Sequence, residues 1–155
     1  MAIEKVRDYF KSFGMENEIL EFPVSSATVE LAAEALNCEP GRIAKTLSFS
    51  VKDSPILIVA AGDVKIDNSK YKAQFGVKAK MLSADNVERL IGHAVGGVCP
   101  FAINKNVAIY LDESLKRFPT IFPACGSSNS AIELTPADLE RVTLFTSWVN
   151  VTKLK

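Results

Sequence analysis

Two periods of apolar and polar residues alternate along this chain. In "EKVRDYFKSFG", Val6, Tyr9, Phe10 and Phe13 recur at helical spacing, and Gly14 supplies a stop. A short apolar run over 19–22 precedes "SSATVELAAEALNCEPG". There Thr28 is placed to cap a helix with Leu31, Ala32, Ala35 and Leu36 on one face, ended by Pro40 and Gly41. The period then changes to two. "KTLSFSV" puts Leu47, Phe49 and Val51 on one side and Thr46, Ser48 and Ser50 on the other, with Lys45 sharing the parity of the apolar side. After the turn signal "KDSP", the run "ILIVAA" reads as a strand buried on both faces, which predicts a hairpin at the centre of a sheet.

Farther on, Asp67 or Asn68 can cap a helix through Phe75, "VKAKML" alternates as a strand, and Ser83 caps "ADNVERLI" up to Gly92. "VAIYLD" and "TIFPAC" read as strands around a short helix "ESLKRF". The turn-rich "GSSNS" leads into "AIEL", Thr135 and Pro136 open a last helix as N-cap and first residue, and "WVNVTKL" reads as a final strand. No regular βαβ period, internal repeat, low-complexity segment or linker interrupts this order. The expected architecture is mixed α/β (α+β): one compact domain over 1–155, with a mixed central sheet or partly closed barrel and surrounding helices.

Composition narrows the partners. With 155 residues, 48% of them hydrophobic, the chain can build a core, and 18 basic residues balance 18 acidic ones. A polyanion would therefore be held by a local patch rather than by the overall field. No window approaches the ~20 apolar residues of a membrane span. Cys38, Cys99 and Cys125 are odd in number, scattered and without a C-x-x-C pair, which argues against a disulfide framework or a zinc site. A soluble, cytoplasmic protein without metal is expected.

Candidate chemistry is concentrated in three places. "GHAVGGVCPF" holds the single histidine, His93, beside Cys99, and a Cys/His nucleophile would use that pair. A structural reading sets His93 at a helix end, where a cation is favoured, and Cys99 as a small packed hydrophobe. The loop's Gly96, Gly97 and Pro100 suit unusual dihedrals and close backbone approach to a ligand, flanked by Val95, Val98 and Phe101. A second segment, "ACGSSNSAIEL", follows Gly126 with Ser127, Ser128 and Asn129, and its exposed peptide N–H groups can bind an oxyanion or form a plain polar turn. Lys45 is either a snorkelling lysine or a positive charge at the mouth of a pocket. Lys65, Lys70, Lys72, Lys78 and Lys80 form a local basic concentration, a solvated face or a set of RNA phosphate contacts.

Together, "GRIAKTLSF", "AVGGVCPF" and "GSSNSAIEL" resemble the YbaK-like family of aminoacyl-tRNA editing domains, over nearly the full chain. The resemblance implies a YbaK-like fold and a free-standing trans-editing hydrolase that deacylates mischarged tRNA without a cofactor. It puts the functional lysine on Lys45, the G-x-x-x-P loop on Gly96 to Pro100, and the substrate-binding glycine loop on Gly126 and the residues after it. The cysteine-specific branch carries a serine and an acidic residue where this chain has Ala124 and Ala131, and the alanine-specific branch a loop histidine that is absent here. A small amino acid on tRNA(Pro) is implied: 2-aminobutyrate, alanine, cysteine or serine. The implied partners are aminoacyl-tRNA and prolyl-tRNA synthetase, with no DNA and no membrane. The rival is a non-catalytic module that binds aminoacyl-tRNA or a partner protein.

Overall fold

The computed structural model describes residues 2–155. In chain order the elements are α1 (Ala2–Lys11), β1 (Leu20–Glu21), α2 (Val29–Leu36), β2 (Ile43–Val51), β3 (Ser54–Ala61), β4 (Val64–Ile66), α3 (Asn68–Phe75), α4 (Ala84–Ile91), β5 (Ala108–Asp112), β6 (Phe122–Pro123), β7 (Ser130–Ala131), α5 (Pro136–Val142), β8 (Ser147–Val149) and β9 (Thr152–Leu154). Short 3-10 turns lie at Glu16–Glu18, Pro40–Arg42 and Glu113–Arg117.

The expected hairpin is the centre of the molecule. β2 and β3 pair antiparallel from Ala44↔Ala61 to Val51↔Ser54, and Lys52 and Asp53 between them both have positive φ (50° and 67°). Two such residues form the kind of tight turn whose twist matches that of paired strands. β6, β5 and β8 join in parallel, giving a curled five-stranded mixed sheet, a half-barrel, in the order β6-β2-β3-β5-β8. Two ribbons complete the fold: β1 with β7 and β4 with β9.

β3 is buried on both faces, as its continuous apolar run predicts. Val59 and Ala61 pack with Ile109 and Leu111 beneath Ile3, Val6 and Phe10 of α1 and Leu139 and Val142 of α5. Ile56 and Ile58 face the other way, into Phe49, Tyr71 of α3 and Val149. The buried Asp112 carboxylate accepts the peptide N–H groups of Ser114 and Val151 and the Thr152 hydroxyl, which fixes the chain entering β9 against the end of β5.

The capping expectations hold at Thr28 and Asp67, whose side chains accept from Leu31 N–H and Lys70 N–H, and at Thr135, which forms a reciprocal capping box with Asp138. Ser83 is the N-cap of α4 without a side-chain cap bond. Other expectations change. "VKAKML" is not a strand: Met81 alone bridges to Phe49, because the segment reaches the β2 edge only at 80–82. "TIFPAC" contributes a two-residue strand, "ESLKRF" a 3-10 turn, and "WVNVTKL" divides into β8 and β9, which lie in different sheets. On α2, Ala32 and Ala33 are buried against Ile43 and Phe122 with Val29 and Leu36 packed beside them, and Leu31, expected on the buried face, is exposed.

Candidate functional site

A cleft of about 480 Å³ opens along β2, between the 26–29 segment, the glycine loop at Gly96 and the chain around Ala124 and Ser130. Its walls are mostly apolar, and among the described residues Lys45 is the single charged one that lines it and no carboxylate does.

Lys45 stands three residues into β2, half-buried, and its Nζ donates to the backbone O of Val64 in β4. Burial lowers its pKa, as does the nearby charge of Lys155, while Asp63 and Glu30 oppose the shift. Asp63 is itself committed to Arg117, which donates to both carboxylate oxygens and holds the carboxyl below its usual range. The Lys45 ammonium is therefore oriented by a carbonyl rather than neutralised by a carboxylate, and it keeps donor capacity for an anion or an ether oxygen.

The two glycine loops meet backbone to backbone. A Cβ on Gly97 would lie 2.7 Å from the Gly126 carbonyl carbon and 2.8 Å from Ser127 N, so only glycine permits this approach. Gly96 (φ 96°) and Gly126 (φ 89°) hold left-handed conformations. Gly96 and Val98 line the cleft; Gly97 and Pro100 are buried behind it. The polar residues after Gly126 hold the loop in place. Ser128 O accepts from Ser26 N–H (2.6 Å), Asn129 exchanges bonds with the Phe22 backbone, and Ser127 Oγ lies 2.7 Å from Ser130 Oγ. The 22–28 segment is thereby drawn over the cleft, although no pattern in its sequence marked it.

His93 and Cys99 do come together, with Nε2 3.4 Å from Sγ, but deep in the core, where both are fully inaccessible to solvent. His93 Nε2 lies 2.6 Å from Phe101 O, which requires the proton on that nitrogen, so it is not free to take one from the thiol. Burial pushes the Cys99 thiol up to about 12 and lowers the pKa of His93. The expected cation at the end of α4 is thus a neutral imidazole, since burial outweighs the helix dipole.

The five lysines do not form one patch. Lys65 lies on β4 opposite Lys153 of β9, Lys70 Nζ donates to Thr152 O (2.8 Å), and Lys72 and Lys78 border a separate shallow hollow with Asn68, Ser69 and Ala79. Lys80 is exposed near the far end of β2, with its carbonyl accepting Ser50 N–H.

Thr46 is a further cleft residue that the sequence did not single out. β6 pairs with β2 only at Ile43 and Ala44, and the 80–82 segment covers the same edge only from Ser48 onward. Leu82 N–H donates to Ser48 O and Ser50 N–H to Lys80 O, so those residues turn their peptide groups away from β3; opposite Ser50 stands Pro55, which has no N–H to give. By the alternation of an antiparallel ladder, Thr46 also faces outward. Neither its N–H nor its C=O has a hydrogen-bond partner among the described residues, and its buried Oγ1 has none either. The polar parity of Thr46 was visible; the gap beside it was not.

Among the described residues no group of three or more His, Cys, Asp or Glu could hold a metal ion, and no helix is long and apolar enough to cross a membrane. Residues 24–142 match the family model described as an aminoacyl-tRNA editing domain. The chain is 53% identical over 154 residues to "Uncharacterized protein YwhH" of Bacillus subtilis, spanning 99% of this chain and 98% of that one. It is 33% identical over 111 residues to "Putative Cys-tRNA(Pro)/Cys-tRNA(Cys) deacylase EbsC" of Enterococcus faecalis, covering 70% and 68% of the two chains. A solved structure titled "Crystal structure of a putative trans-editing enzyme for prolyl tRNA synthetase" superposes with a TM-score of 0.87 at 27% identity, over 98% of this chain and 97% of that one.

Proposed function

Since the chain belongs to the aminoacyl-tRNA editing family and is an aminoacyl-tRNA deacylase, we propose that it removes a small non-cognate amino acid from tRNA(Pro). The substrates are the alanyl, 2-aminobutyryl, cysteinyl or seryl esters. The observation that carries this reading is the cleft itself: apolar walls, one cation at Lys45, and the Gly96 loop at its side, backed by the second glycine loop. An aminoacyl ester is already activated, so hydrolysis needs an oriented water and donors for the developing oxyanion rather than a nucleophilic side chain.

In this mechanism the peptide N–H groups of Gly96 and Val98, which line the cleft, receive the oxyanion. Gly97, whose N–H donates to Ala94 O, and Pro100 fix the course of that loop, and Gly126-Ser127-Ser128-Asn129 support it from behind. Lys45 holds the terminal phosphate or ribose end of the tRNA through the donor capacity left beyond Val64 O. Cys99 takes no part, because a thiol titrating near 12 supplies no thiolate at neutral pH. Lys72 and Lys78, which border one hollow, contact the tRNA backbone, prolyl-tRNA synthetase is the source of the mischarged substrate and a docking partner, and the site of action is the cytoplasm. The cleft accepts small unbranched side chains and excludes proline by clash, as a second sieve does.

The test is hydrolysis of tRNA(Pro) charged with alanine, 2-aminobutyrate, cysteine, serine or proline by the purified protein. Turnover of one or more small esters with prolyl-tRNA spared supports the proposal; rapid prolyl hydrolysis, or no hydrolysis of any ester, rejects it.

A further inference from the structure

We propose that Thr46 reads the free α-amino group of the substrate, so that the cleft takes aminoacyl esters and refuses their N-acylated counterparts. The inference rests on the deacylase reading of this cleft. A primary amine buried there needs hydrogen-bond partners, and among the described residues no carboxylate lines the cleft to provide a charged one. Lys45 on the neighbouring position makes a second cation unwelcome, which favours recognition through neutral groups. The open edge of β2 supplies them. Thr46 presents one unpaired acceptor, its C=O, and one unpaired donor, its N–H, in the interval that β6 and the 80–82 segment leave uncovered. A primary amine can give to the first and take from the second.

The hydroxyl points the same way. Thr46 Oγ1 is enclosed with no partner among the described residues, an arrangement that costs stability unless something else uses the group. One rotameric step about Cα–Cβ exchanges it with the methyl group and offers a further acceptor beside the peptide edge. Because adjacent strand residues project to opposite faces, Lys45 and Thr46 can hold two different ends of one short aminoacyl ester. N-acylation would remove an amine donor and force a planar amide into a gap bounded by two strand edges.

Two measurements test this. The first is kcat/KM of wild type and Thr46→Val on alanyl-tRNA and N-acetylalanyl-tRNA. Wild type is expected to prefer the free amine by roughly tenfold or more. In Thr46→Val the rate on the free ester should fall roughly threefold to tenfold while the N-acetyl rate stays put. The variant's melting temperature should not drop, since the hydroxyl has no partner among the described residues to lose. A structural role would instead lower the melting temperature and leave the ratio between the two esters unchanged, and that result overturns the proposal. The second measurement is calorimetric binding of 3′-alanylamino-3′-deoxyadenosine, which cannot be hydrolysed, and of its N-acetyl form. Tighter binding of the free amine supports the amine site even if no ester is turned over; equal binding overturns it whatever the deacylase assay gives.

Discussion

Gly97→Ala is the most incisive perturbation of this molecule, because its geometry separates crowding from backbone strain. The new methyl carbon would sit 2.7 Å from the Gly126 carbonyl carbon, 2.8 Å from Ser127 N and 2.9 Å from Gly126 O, where ordinary contact begins at 3.4 Å. All three are backbone atoms, so no side chain can swing aside. The loops must part by roughly half an ångström or more, which costs about 1–3 kcal/mol by the usual penalty of overpacking. For a chain of this length that is a fall of roughly 3–10 °C in melting temperature. If the loops carry the oxyanion donors, the same displacement costs on the order of 10- to 100-fold in kcat/KM, as misplacement of catalytic groups does. Gly96→Ala is the control. Its Cβ would find Ala27 Cβ at 3.6 Å and Ser128 Cβ at 3.8 Å, ordinary contacts, so only the positive φ of 96° opposes it, at about 1–2 kcal/mol. Urea unfolding and steady-state deacylation of both variants provide the comparison. A Gly97→Ala protein with wild-type stability and turnover would refute both the interlocking of the loops and their place in the chemistry.

Other outcomes follow from the same structure. Lys45→Ala should lose most deacylation while circular dichroism and the unfolding midpoint remain close to wild type, since its Nζ meets a single carbonyl at a half-buried position; retained turnover removes Lys45 from the site. Cys99→Ser should cost about 1–3 kcal/mol by burying a hydroxyl, yet turn over within a few-fold of wild type per folded molecule, and a loss of ~10³-fold with the fold intact would restore the nucleophile. His93 has a folded pKa lowered chiefly by burial, so its contribution to stability is present above its unfolded value near ~6.5 and is lost as pH falls toward the folded value. Urea midpoints should decline from pH 7 to 5 in wild type, and a His93→Gln variant should show a flatter profile over that range.

Much of the scaffold was legible in the chain because it is written in local patterns. The continuous apolar run of β3 and the alternation of β2 fix which faces are buried; "KD" fixes the turn between them; Thr28, Asp67 and Thr135 fix helix starts through side-chain oxygens only two or three residues from the N–H groups they satisfy. The resemblance of three short motifs pointed to Lys45 and to both glycine loops. What those motifs touch was not legible. Ser26 over the second loop, Gly97 against Gly126, Lys45 on Val64 and the bare edge at Thr46 each join residues far apart in sequence. The basic stretch from Lys65 to Lys80 reads as one patch in the chain and is distributed over β4, α3 and the edge of β2 in space. Periodicity sets which way a side chain points within its own element, but a partner across the cleft is set by how strands of two residues are trimmed and where loops cross them. Those choices depend on the packing of the whole core, and only the folded chain makes them.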